Sequence, residues 1–252
     1  MMPIRRRVPV LLYHKIGAAP AGVRNPRGWV TPERLDWQLG YLRRRGYRSA
    51  TAAALAAHYR GERPLDRNAI LITFDDGSRT CLAARPILER NGFTATVFIV
   101  AGQLGGRSTW DRNPNHPDDP LLSLDEIRTL LAAGWEPGAH SLTHARLTSL
   151  SAEAAQAEIA GSKRALEAAL ARPVASFAYP YGSYAPEHAA QVRTAGFEIG
   201  FTTHYPEAGL AAVARQTISA RVHALRFWWR LRRAARGSFH VDAVDTTAAR
   251  ES

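Results

Sequence analysis

The 252-residue chain is 46% apolar and 22% charged, a balance that suits a folded domain with a full core and excludes a disordered polymer. Its one cysteine, Cys81, excludes an intrachain disulfide, and no apolar run approaches membrane-spanning length, so a cytoplasmic location is expected. The formal net charge of +11 comes mainly from arginine and favours anionic partners, although the arginine usage of a high-GC genome is the simpler explanation.

The opening, MMPIRRRVPVLLYHK, sets basic residues before an apolar run as a signal peptide does. That run is short, contains Pro9 and is followed by His14 and Lys15, so residues 8–14 read as a buried first strand. Thr31-Pro32-Glu33 opens a helix with Leu35, Leu39 and Leu42 on one face, stopped at Gly46. A second strand, 69–74, runs directly into Asp75-Asp76-Gly77, and a helix follows around 79–90. Residues 95–100, almost wholly apolar, read as a strand of the kind parallel sheets bury on both faces, and 101–122 as a long loop carrying Trp110. Ser123 and Glu126 form a capping box for the next helix. A short strand, 135–140, leads into Ser141-Leu-Thr-His144, and Ser151 caps an alanine-rich helix reaching about residue 171. Strands at 174–178, 197–203 and 218–222, with a helix at 186–195, complete the series. About seven strands alternating with helices predict an α/β fold, an irregular (β/α)7-type barrel in a single domain.

The reactive residues collect at the carboxyl ends of those strands, the edge where parallel α/β proteins bind ligands. Two adjacent carboxylates, Asp75 and Asp76, can share a site only if the chain turns, which Gly77 permits, and a cation is the usual reason to keep both ionised. The alternative is a carboxylate pair that caps a helix. His140 and His144 stand four apart, a spacing that on a helical turn lets both grip one metal, though such pairs also arise by chance on surface helices. With one aspartate they make a two-histidine, one-carboxylate set with positions open to water and substrate.

Thr-Phe-Asp-Asp-Gly (73–77), His-Ser-Leu-Thr-His (140–144) and Phe-Ala-Tyr-Pro-Tyr-Gly (177–182) resemble three successive motifs of the polysaccharide deacetylase (NodB-like) family. The Leu-Leu-Tyr-His-Lys opening and the Gly-Trp-Glu-Pro-Gly-Ala-His run resemble its bacterial surface-glycan branch. The similarity spans roughly residues 8–232 and implies a domain over 1–236, with a polar tail at 237–252. It implies that Asp75 is the general base toward a metal-activated water and that Asp76, His140 and His144 hold a divalent metal, zinc most often. It further implies that Tyr181, beside Pro180, gives a backbone N–H to the oxyanion and lines the sugar site. The substrate implied is an acetylated glycan or a lipid-linked precursor.

The chain departs from the family pattern in three places. The arginine that commonly orients the base falls at Ala178, and Arg221 could substitute. The late Leu-x-His motif is matched only in part by Arg221-Val222-His223, so His223 is either the acid for the leaving amine or a surface histidine. Pro137 replaces an apolar residue before Gly138. His14 either faces the active-site mouth or is hydrogen-bonded in the core, and Trp110 either stacks on a sugar or anchors its loop. Residues 225–236, LRFWWRLRRAAR, read as a closing helix with aromatics in the core and arginines in solvent, or as a peripheral contact with an anionic membrane beginning at Leu225. A metal-retaining, catalytically impaired glycan-binding pseudoenzyme is the alternative function. A non-haem iron oxygenase fits the ligand set but not the carboxylate pair, and nothing but charge suggests nucleic acid. Oligomeric state is not legible.

Overall fold

The computed structural model describes residues 7–21, 26–110, 119–203, 209–220 and 222–236. Arg221 and the tail at 237–252 therefore lie outside the described residues. In chain order the elements are β1 (Val10–Tyr13), β2 (Lys15–Ile16), β3 (Trp29–Val30), α1 (Pro32–Arg44), β4 (Arg48–Ser49), α2 (Ala52–Arg60) and β5 (Ala69–Phe74). Then come α3 (Arg85–Asn91), β6 (Thr96–Ile99), α4 (Leu124–Ala132), β7 (Glu136–Ala139), α5 (Ala152–Leu170) and β8 (Ser176–Ala178). The last are α6 (Pro186–Thr194), β9 (Ile199–Thr202), β10 (Val213–Ala214), β11 (Gln216–Thr217) and α7 (Ala224–Arg236).

The main sheet runs in the order β10-β9-β8-β7-β6-β5-β1-β11, every pairing parallel, with β4 on the early residues of β5. Its two end strands, β10 and β11, are separated in sequence by Arg215 alone. They form one broken stave, and the sheet closes almost completely into a seven-staved barrel. The expected barrel is the observed one, but the strand expected at 218–222 is replaced by these two short strands at 213–217. Arg215 interrupts the apolar run there, which hides the stave from a periodicity reading.

Strand alternation divides the core into two parts. Ile70, Ile72 and Phe74 of β5 pack outward with helix residues such as Leu35, Leu88 and Ile127. Ala69 and Leu71 point inward, among Val10, Phe98, Ala178 and Phe201. α2 joins the interior cluster through Leu55 and Ala56, beside the strand-start residues Val8 and Ala69, and so plugs the amino end. The Glu136 carboxylate, at the start of β7, accepts the backbone N–H groups of Ala52 and Ala53 and fixes that plug. The capping box and the two caps read from sequence form: Ser123 and Glu126 cap each other, Thr31 accepts from Arg34 N, and Ser151 accepts from Ala154 N. Among the described residues no helix is long and apolar enough to cross a membrane.

One reading of α7 is corrected. Phe227, Leu231 and Ala234 are buried as expected, but so is Arg230, which donates to the Thr217 carbonyl, while Trp228 and Trp229 face outward. The aromatic residues of this helix are divided between core and surface.

Candidate active site

Asp75 continues the inward parity of Leu71 and Thr73 and stands one residue past β5. Arg215, buried at the break in the last stave, meets it with two parallel hydrogen bonds, Nη1 to Oδ1 and Nη2 to Oδ2, both 2.6 Å. Arg215 Nη1 also lies 3.3 Å from Thr73 Oγ1, and the guanidinium packs against the Phe98 and Phe201 rings. Burial alone would favour a neutral Asp75 carboxyl. The Arg215 charge, helped by His140, outweighs it and holds Asp75 below the usual carboxylate range.

Simple alternation would send the next residue to the opposite face. Instead Asp76 (φ 70°) and Gly77 (φ 65°) both adopt left-handed backbone, turning the second carboxylate back to the same edge. The turn is held by Leu122 N donating to the Gly77 carbonyl. His140, directly after β7, and His144 meet Asp76 across a tight loop rather than a helical turn. Ser141 (φ 60°) and His144 (φ 66°) are left-handed, Ser141 Oγ accepts from His144 N, and Glu158 of α5 accepts the N–H groups of Leu142 and Thr143. Tyr181 (φ 59°), in the turn Pro180–Gly182, is strained in the same way. Among the described residues, four of the five non-glycine positive-φ positions thus belong to this site, the fifth being Ala171 at the end of α5.

Asp76 Oδ1 lies 3.5 Å from His140 Nε2 and 3.4 Å from His144 Nε2, and the three ligand atoms fall within 4.8 Å of one another. A tetrahedral cation bonded at about 2.0–2.1 Å to imidazole nitrogens spaces its ligand atoms about 3.3 Å apart. His140 Nδ1 sits 2.8 Å from the Ala178 carbonyl, an acceptor that fixes a proton on Nδ1 and turns Nε2 toward Asp76, as a metal ligand requires. Burial disfavours a charged His140, but Asp75 and Asp76 outweigh it and raise its pKa, so a proton would compete with a cation for Nε2. Asp76, also buried, is held well below its ordinary range by hydrogen bonds from His140 and His144 and by the charges of His14 and His144. The residues present fit a divalent metal.

The other expected residues divide. His14 closes β1 beside this pair, near enough to act on the charge of both Asp75 and Asp76, and its Nδ1 is buried without a hydrogen-bond partner among the described residues. It faces the site. Trp110 lies flat on the His144 ring, centroids 4.3 Å apart, so one indole face covers a candidate ligand rather than lying open to a sugar. The Tyr181 ring meets His144 edge-on at 4.7 Å, with Arg146 over it at 4.2 Å. His223 is exposed, and its carbonyl accepts from Phe227 N at the start of α7. Arg215 was missed in the sequence. An unpaired charge inside Ala211-Ala-Val-Ala-Arg-Gln-Thr-Ile is costly to bury, and that cost was the available signal.

A parallel barrel with two histidines and one carboxylate at its carboxyl edge, and a second carboxylate clamped beside them, defines a hydrolase-type site. The family model described as polysaccharide deacetylase matches residues 62–200, and the chain belongs to that family. YxkH of Bacillus subtilis (strain 168), provisionally named a polysaccharide deacetylase, is 24% identical over 198 residues, which are 78% of this chain and 64% of YxkH. The chain thus spans less than two thirds of that relative. Among solved structures, the Streptococcus pyogenes deacetylase PplD, in complex with acetate, superposes with a TM-score of 0.76 at 22% identity, covering 88% of this chain and 97% of PplD. IcaB from Ammonifex degensii gives 0.73 at 23% identity, covering 92% of this chain and 98% of IcaB. At these identities the likeness establishes the fold.

Proposed function

We propose that this chain is a metal-dependent hydrolase that removes N-acetyl groups from N-acetylhexosamine units of a glycan or a lipid-linked glycan precursor. The observation that carries the reading is the division of labour between two adjacent carboxylates: Asp76 converges with His140 and His144, while Asp75 is held apart by Arg215. Asp76, His140 and His144 would hold a divalent cation, zinc being the first expectation, and that ion would supply Lewis acidity toward a water and the amide carbonyl.

Asp75 would accept the proton of the attacking water. Arg215 keeps it ionised and aims it, and Asp75 Oδ2 lies 3.9 Å from His140 Nε2, beside the ligand set. The backbone N–H of Tyr181, whose left-handed φ of 59° strains the turn after Pro180, would donate to the carbonyl oxygen as it gains charge. The departing amine needs a proton, and His14 is favoured over His223 because it stands beside both carboxylates whereas His223 is exposed. The pseudoenzyme reading rested in part on Ala178 in place of an arginine. Arg215 supplies that guanidinium from another strand, and the Ala178 carbonyl orients His140 instead. Purified protein should release acetate from N-acetylglucosamine oligomers and stop when chelator is added. Asp75→Asn should bind zinc normally yet release none, and robust turnover by that variant would overturn the assigned base.

A further inference from the structure

The outward face of α7 serves no part of the proposed chemistry. Phe227, Arg230, Leu231 and Ala234 form its buried stripe. The opposite side carries Leu225, 83% exposed, Trp229, 45%, and Trp228, 37%. Trp37 of α1, 40% exposed, adjoins them through its edge contact with Phe227 at 6.1 Å. An amphipathic helix in a water-soluble domain ordinarily turns acidic and basic residues outward. Here the solvent side interleaves large apolar groups with arginines, and residues 224–236 contain no Asp or Glu. Arg232 stacks on Trp228 at 4.2 Å and Arg233 on Trp229 at 4.3 Å, so each cation sits at the level of an indole ring. α7 follows β11, so its first turns, which bear Leu225, Trp228 and Trp229, start near the barrel edge that holds Asp75 and the two histidines.

We infer that this face docks on an anionic phospholipid surface. Tryptophan belongs at the headgroup level of a bilayer, leucine just beneath it, and arginine against lipid phosphates, and all three are presented together. The cationic helix and the overall charge of +11 complement such a surface. A neutral bilayer offers no counterpart for Arg226, Arg232 and Arg233, and a second copy of this chain would bring these cations against one another. Docking in this pose sets the active-site edge beside the bilayer, where a lipid-anchored glycan presents its sugars.

The test reads partitioning rather than turnover, so it stands independently of the deacetylase reading. The full chain is sedimented with vesicles of equimolar phosphatidylglycerol and phosphatidylcholine, and with vesicles of phosphatidylcholine alone. Binding is expected to the anionic vesicles only, to weaken with added salt, and to be accompanied by a blue shift of tryptophan emission. Leu225→Ser combined with Trp229→Ser should weaken it by about tenfold or more, as should Arg232→Glu combined with Arg233→Glu. Melting temperatures matching the parent protein would show that these variants fold. Failure to bind, equal binding to both vesicle types, or parent-like binding by the variants would overturn the proposal. So would a parent dimer in sedimentation that the Leu225 and Trp229 changes convert to monomer, because a second copy would then be the occupant.

Discussion

At the scale of single residues, the geometry makes Arg215 a positioning group for Asp75. Removing the cation removes the charge that favours ionised Asp75, so the Asp75 pKa must rise. In Arg215→Gln the acid limb of kcat/KM should therefore move to higher pH, with stability lower by about 3 kcal/mol because a buried carboxylate loses its partner. An unmoved acid limb in the pH profile would reduce Arg215 to a structural role. The proton donor is open to a similar comparison. His14→Gln should lower kcat by about 100-fold or more, while His223→Gln should leave it nearly unchanged. The reverse pattern would return the role to His223.

At the scale of elements, the strand carrying His140 is packed against the residue that cushions Arg215. A Cβ on Gly138 of β7 would come within 2.4 Å of the Phe98 ring and 2.8 Å of Ser176 Oγ. Phe98 in turn packs on Phe201 and under Arg215. Gly138→Ala should cost about 1–3 kcal/mol, as overpacking does, visible as a lower urea midpoint with unchanged slope. β5, α1, α4, α5 and α6 were legible in the sequence because each carries a clean period or a capping signal, as with Ser123 and Glu126. β2, β3, β4, β10 and β11 are two residues long, too short to show any period. α2 escaped notice because Ala52–Arg60 is mostly alanine and gives little contrast between faces. Asp75, Asp76, His140 and His144 were legible from motif spacing, but the left-handed turns at Asp76 and His144 that bring them together were not, since non-glycine residues rarely adopt them.

At the scale of the whole molecule, the candidate ligand set joins two staves across a third: Asp76 follows β5, and His140 and His144 follow β7, with β6 between them. A cation bound there ties the strained loops together and should stabilise the native state by mass action. Free zinc at about 100 times its dissociation constant should add about 2.7 kcal/mol, read as a rise in melting temperature that chelator reverses and that Asp76→Ala abolishes. A chain whose melting temperature ignores zinc would count against the metal centre.

The broken last stave has a consequence for assembly. β11 pairs with β1 across some 200 positions of chain, and Arg215 is carried on that late strand. On a ribosome, Asp76, His140 and His144 all emerge before the guanidinium that holds Asp75, and ring closure is the long-range, slow-forming contact. On the proposed mechanism, a nascent chain could gather its imidazoles early, but Asp75 would gain its guanidinium partner only once the barrel's seam is shut, which would withhold reactivity until the fold is whole.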